Sequence, residues 1–305
     1  MTFSANKPKT LNILITVDWE GRSLDEENLT TMEQMRTDFP EAPYTQYLNA
    51  AYYTKPGANA AELNENTSRV LRDHDEHGLH IHAWRRLVED SGLNYISEPT
   101  FKNEVDDNFD AEDCGQGVPL WAYSRQDLNK LIKRSIEILR CQGFNHPKSF
   151  RSGGWMSAST VTEALIDNGF RSDSSDVSTF YVSRRWDGLN LDNWIKELWG
   201  KTTDTSQPYI QEHSHGKIWQ VVDNGALADY IEGEEMWKVA QENIDALLNS
   251  ERQEAYMVVG FHTETAAKFL PRLRKFMDSC KAYQGSDVHL DFITMSEAVE
   301  KLEHR

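Results

Sequence analysis

Short apolar runs recur along this chain, and each is followed by a stretch with helical spacing. LNILITVD (11–18) reads as a buried first strand. NAAELNENTSRVLRDHDEHG (59–78) puts Leu63, Val70 and Leu71 on one side of a helix ending at Gly78, and LHIHAW (79–84) follows as a strand. SRQDLNKLIKRSIEILRCQGF is an amphipathic helix capped by Ser124, striped by Leu128, Leu131, Ile132, Ile136 and Leu139, and stopped at Gly143. KSFRSG then predicts a strand, and SASTVTEALIDNGF a second capped helix ending at Gly169. KIWQVV, AYMVVGFH and LDFIT predict further strands, followed by helices over 234–249, 265–283 and the last residues. Parallel neighbours need a crossover between them, so strand-then-helix from end to end predicts an α/β chain with a parallel sheet or barrel. A chain of 305 residues is the size of a single barrel, and one domain over 1–305 is the economical reading.

Three stretches break the rhythm, at about 22–58, 85–122 and 172–216. They carry many of the aromatics: Tyr44, Tyr47, Tyr52 and Tyr53; Trp121 and Tyr123; Phe180, Tyr181, Trp186, Trp194 and Trp199. Loops this long inside a compact domain are usually functional, and rings on them suit stacking on flat or amphipathic ligands as well as packing the loops themselves.

The charge and the cysteines narrow the function classes. A net charge of −17 disfavours nucleic acid and anionic membranes, which need clustered cations. No apolar run approaches bilayer length, and the start MTFSANKPKT lacks the apolar stretch of a secretory signal. The three cysteines, Cys114, Cys141 and Cys280, are scattered and form no CxxC pair, which argues for a reducing compartment. The expectation is a cytoplasmic protein without an integral membrane segment. The sequence carries no signal for an oligomeric state.

HGLHIHAW (77–84) concentrates three imidazoles. His77, placed in the last helical turn, complements the carbonyl end of the helix dipole. In the strand that follows, His80, His82 and Trp84 share a face, and side chains two apart stand about 6.6 Å apart along the chain. The imidazoles of His80 and His82 can therefore converge on one ion. By the same alternation Asp18 and Glu20 share a face at the end of the first strand. Arg151 and His262 close two further strands. A parallel barrel gathers the C-terminal ends of its strands at one mouth, so Asp18, Glu20, His80, His82, Arg151 and His262 are expected together. Two histidines and a carboxylate with an open position describe a hydrolytic zinc site, with a second carboxylate and a further histidine available as base and acid.

These segments, in this order, resemble the polysaccharide deacetylase family, carbohydrate esterase family 4. TVDWEG resembles the first family motif, TFDDG. SFRSGGWMSASTVTEALIDNGFRSDSS (149–175) resembles the arginine motif, its helix and the GF…DSS element of divergent members, and VVGFHTE resembles the last motif. The likeness runs from about residue 11 to 300. It implies a distorted, incomplete (β/α) barrel, with Asp18 as general base, Glu20 as metal carboxylate, Arg151 orienting the base and His262 as the acid. A divalent metal, zinc first, is implied with it.

The chain departs from the pattern twice. The second motif is HxxxH, but Trp84 stands four residues after His80, so His82 or His77 takes the second place, or the metal is bound differently. The fourth motif, an acidic and tryptophan element that buttresses the acid, has two candidate matches, LDNWIKELW and IWQVVDNG. Trp84 and Trp155 flank the expected site and either wall a sugar pocket or fill the barrel. The expected function is a metal-dependent hydrolase removing an N-acetyl or O-acetyl group from a carbohydrate. The alternatives are hydrolysis of a non-sugar amide such as a cyclic imide or ureide, and carbohydrate binding without catalysis.

Overall fold

The structure is a computed structural model that describes residues 8–103 and 113–304. Part of the predicted loop 85–122 and most of the opening MTFSANKPKT therefore lie outside the described residues. The elements begin with β1 (Lys9–Asp18), α1 (Glu26–Asp38), β2 (Tyr44–Leu48), α2 (Ala60–Val70), β3 (Glu76–Ile81), α3 (Arg85–Asp90) and α4 (Arg125–Cys141). They continue through β4 (Ser149–Ser152), α5 (Ser159–Asp167), β5 (Ser172–Asp173), α6 (Thr179–Trp186), α7 (Asn190–Trp199), β6 (Tyr209–His213) and β7 (Gly216–Gln220). α8 (Gly233–Leu248), β8 (Glu254–His262), α9 (Ala266–Ala282), β9 (Val288–Phe292) and α10 (Met295–Glu303) complete the chain.

The strands form one curled sheet in the order β6-β7-β5-β4-β3-β2-β1-β8, parallel throughout except for the β6–β7 hairpin. β1 is its hub. It pairs with β8 along Thr10–Asp18, while its other edge is shared between β9 over Lys9–Ile13 and β2 over Ile15–Asp18. This fork is where the barrel is distorted.

The barrel is also incomplete, and side chains patch the gap. Among the described residues, no strand covers the outer edge of β8 at Tyr256 and Val258. Instead the Gln207 amide accepts from Tyr256 N–H at 2.8 Å and donates to Tyr256 O at 3.2 Å. Asn224 accepts from Val258 N–H at 3.0 Å and donates to Tyr256 O at 3.1 Å. Further along, the backbone of Gly225 and Ala228 donates to Val258 O and Gly260 O. Two primary amides thus imitate the missing ladder and satisfy backbone groups that would be costly to bury unpaired.

Strand alternation divides the core. Leu11, Ile13, Ile15 and Val17 of β1 are wholly buried against the outer helices, each stabilising the fold by roughly 1.5–3 kcal/mol. Leu14, Tyr47, Val221, Tyr256 and Val258 fill the inside, closed from below by Ile293 and Met295. Thr16 and Asp18 stand above this apolar plug on the same face of β1, at the end where the site lies. Among the described residues, no helix is long and apolar enough to cross a membrane.

Three expectations change. The predicted loop 22–58 contains α1 and β2, and the stretch 172–216 contains α6, α7 and the hairpin. The helix predicted to run to Gly78 ends at Val70. Residues 76–78 belong to β3, where a Cβ on Gly78 would sit 2.5 Å from the Tyr47 ring, so the glycine serves close approach and not a helix cap. The helix over 159–167 starts after Ala158, which offers no side-chain cap.

Candidate metal centre and catalytic cavity

Sheet register brings the predicted residues together. Asp18 on β1 lies opposite His262 on β8, and His80 on β3 lies opposite Arg151 on β4. The mouth they share is a cavity of about 130 Å³. Asp18, Glu20, His80, His82, Arg151 and His262 all line it.

The donor atoms of Glu20, His80 and His82 lie within 4.8 Å of one another, and all three residues are buried. His80 Nδ1 faces Arg151 O at 2.9 Å and His82 Nδ1 faces Gln116 O at 2.6 Å. A carbonyl oxygen only accepts, so each Nδ1 carries a hydrogen, and the neutral tautomer that this contact selects has its lone pair at Nε2. Those Nε2 atoms lie 3.3 and 2.8 Å from the Glu20 carboxylate, at angles that make no hydrogen bond, and neither has another partner among the described residues. Gln116 completes the arrangement by donating to Glu20 Oε2 at 2.5 Å. Two orphaned imidazole nitrogens and a carboxylate converging on one point fit a divalent cation, and the Nδ1 contacts are the outer hydrogen bonds that fix ligand orientation in metal sites. Gly153 makes room for this, because a Cβ there would press into the His82 ring.

Beside the cluster stands a buried ion pair. Arg151 donates to Asp18 Oδ1 at 3.1 Å, to Thr16 Oγ1 at 2.8 Å, and to the Ser174 carbonyl and hydroxyl at 3.0 Å each. Burial opposes the guanidinium charge, but Asp18 and Asp223 outweigh it and hold the proton more firmly than usual. Asp223 itself is pushed up to about 6, burial exceeding the pull of Arg151. On the far side of Glu20, His262 Nδ1 lies 3.1 Å from Asp229 Oδ2 and its Nε2 lies 3.6 Å from Glu20 Oε1. Burial disfavours the imidazolium, yet Asp229, Glu20 and Asp18 together push His262 up to about 10. Asp229 is in turn held by Thr265 and drawn below the usual carboxylate range, against its burial, by His262.

The residues expected at the site are not all used as expected. His77 lies at the opposite end of β3, where its Nδ1 accepts from Asn145 N–H at 3.2 Å, so it takes no part in the cluster. Trp84 does not line the cavity. It is wholly buried, and its indole donates to Glu20 O at 2.8 Å. The reason is local: β3 ends at Ile81 and the chain turns, with Trp84 N–H donating to His82 O, so alternation no longer applies. Trp155 does line the cavity. Its backbone is left-handed, φ 59°, a strained state for a bulky residue, held by its indole donating to Asp223 at 3.0 Å and its carbonyl accepting from Trp199 at 3.0 Å. Neither fourth-motif candidate reaches His262. LDNWIKELW forms α7, with Asp192 paired to Lys196, and Asp223 of IWQVVDNG serves Arg151 and Trp155. The carboxylate behind His262 is Asp229, six residues beyond Asp223.

No family model matches the chain, and no curated protein matches it in sequence. Solved structures do. One named as a polysaccharide deacetylase, from Mycobacterium smegmatis, superposes with a TM-score of 0.58 over 99% of this chain and 93% of its own, at 14% identity. The chain has the polysaccharide deacetylase fold. A second structure of that name, from Pseudomonas aeruginosa PAO1, gives 0.54 over 97% and 92% at 11% identity. An allantoinase gives 0.55 over 99% and 95% at 10% identity. At such identities the likeness speaks for the fold, whose neighbours include more than one kind of hydrolase.

Proposed function

We propose that this protein is a divalent-metal-dependent hydrolase that removes an acetyl group from an N- or O-acetylated carbohydrate. One observation carries the reading: two imidazole nitrogens with no hydrogen-bond partner and a carboxylate face one point, flanked by an Asp–Arg pair and a His–Asp pair. A binding protein has no need of that polarised set.

Glu20, His80 and His82 would hold the ion, and the two-histidine, one-carboxylate set suits zinc best. When bound, such an ion acts as a Lewis acid toward a carbonyl and lowers the pKa of water. The protein's own residues supply the rest. Asp18, held in place by Arg151, takes the proton of the attacking water. His262, charged against Asp229, delivers a proton to the leaving nitrogen or oxygen, freeing acetate and the sugar. Asp18→Asn is expected to keep zinc uptake, read by elemental analysis, while turnover falls about 10²–10⁴-fold. Near-normal turnover would remove Asp18 from the base role.

A second reading has its own support. A cavity of about 130 Å³ is close to the size that encloses a benzene-like molecule, which favours a small amide, such as a cyclic imide or ureide, over an internal unit of a polymer. Assaying N-acetyl sugars beside cyclic amides separates the two.

A further inference from the structure

The cavity of this acidic chain carries a cation that the catalytic groups do not use. Its lining sets the carboxyl groups of Asp18, Glu20, Asp229 and Glu264 against Arg151 and His262, with the open ligand set facing the place of a divalent cation. A further cation, Arg185, lines the cavity on a protein of net charge −17.

Arg185 is exposed, and no carboxylate among the described residues pairs with it. Its guanidinium lies over two cavity-lining rings, 5.9 Å from Trp186 and 5.7 Å from Tyr230. Its neighbour Arg184 behaves as an ordinary surface residue, bound to Glu235 at 2.8 Å and stacked on Phe180. Trp186 Nε1 donates to Tyr230 Oη at 2.9 Å. The tyrosine oxygen is thereby occupied as an acceptor, and its own hydrogen, for which no acceptor exists among the described residues, is left to donate. A cation on a platform of rings, beside an O–H donor, is a receptor for an oxyanion.

We propose that this part of the lining is a specificity subsite for an oxyanion carried by the substrate, a carboxylate or a phosphate, and that Arg185 is its principal ligand. The proposal rests on the amide-hydrolase reading for the placement of the scissile bond. The cavity has room for the acyl group and part of a ring, so the rest of a sugar substrate must pass the lining where Arg185 and Tyr230 stand.

The test is equilibrium binding by calorimetry to the zinc-loaded and the metal-free full chain, with turnover recorded separately. Three probes share one N-acetyl group: N-acetylglucosamine, its 6-phosphate, and its 3-O-lactyl ether, which carries a carboxylate. At least one charged probe is expected to bind about tenfold more tightly than the neutral sugar, and which one identifies the oxyanion. Arg185→Gln is expected to abolish that preference. Arg184→Gln, which removes the same charge one residue away, is expected to leave the preference intact. Equal Kd values for the three probes, a preference that survives Arg185→Gln, or no saturable binding by any probe would each overturn the subsite. A preference that behaves as expected while no N-acetyl sugar is turned over overturns the N-deacetylase reading and leaves the subsite standing.

Discussion

The two ends of β3 carry almost the same chemistry and treat it in opposite ways. At the start, Asp75 just before the strand and Glu76 within it are saturated. Asp75 accepts from Arg36 at 2.6 Å, Tyr44 N–H at 2.9 Å, Gln46 at 3.0 Å and Arg72 N–H at 3.1 Å. Glu76 accepts from the Ser149 hydroxyl and from the backbone and hydroxyl of Ser296. At the other end, His80 and His82 have their Nδ1 atoms fixed and their Nε2 atoms without a partner, facing Glu20. Buried polar groups are ordinarily paired, so the saturated end reads as structure and the unpaired end as a place made for something else.

Paired substitutions at the two ends should separate most widely. Asp75→Ala leaves the buried Arg36 guanidinium without its carboxylate and should cost about 3–5 kcal/mol in denaturant unfolding, with zinc uptake unchanged. Glu20→Ala should do the reverse: metal-free stability holds or rises, and zinc falls to background by elemental analysis. Equal destabilisation by the two would break the contrast. A smaller effect is expected from Gly153→Ala, which intrudes on the His82 ring. Zinc affinity should drop about 10–100-fold with the fold intact, and an unchanged Kd would show that His82 has room to spare.

An intermediate case sharpens the comparison. Asp176 is buried and accepts from the Thr202 and Tyr209 hydroxyls, but no cation among the described residues pairs with it, and burial pushes it up to about 6. An acid raised in the folded state favours the protonated form there. Its contribution is therefore complete below the unfolded value of about 3.9 and is lost as pH rises through 6. Relative to Asp176→Asn, the natural chain should lose on the order of 2 kcal/mol between pH 4 and pH 7. Parallel stability curves for the two would show that the hydroxyls offset the burial.

Legibility in the sequence depends on how each residue is placed. Asp18, His80, Arg151 and His262 sit on strands, where alternation and register fix direction, and Glu20 and His82 come within two residues of a strand end, so their meeting was legible in advance. α4 was legible too, because Leu128, Leu131, Ile132 and Leu139 make a continuous stripe. α1 was hidden because its buried face mixes Leu29, Met32 and Met35 with Asn28 and Arg36, which blurs the period. The end of α2 was misplaced because DHDEHG reads as a charged last turn, whereas Asp75 gathers backbone N–H groups there and turns the chain into β3. Gln116, Asp229 and Tyr230 come from irregular segments whose positions only the folded chain sets, and no local spacing announces them.

The amides of Gln207 and Asn224 along β8 also occupy backbone groups with which a strand of another molecule could pair. The run they cover, YMVVGF (256–261), has no charge and no proline, the composition of a segment prone to stack into fibrils. A bare ladder there would recruit the same run from another molecule. Two polar side chains, occupying its donors and acceptors without extending the sheet, make that surface a dead end for self-association.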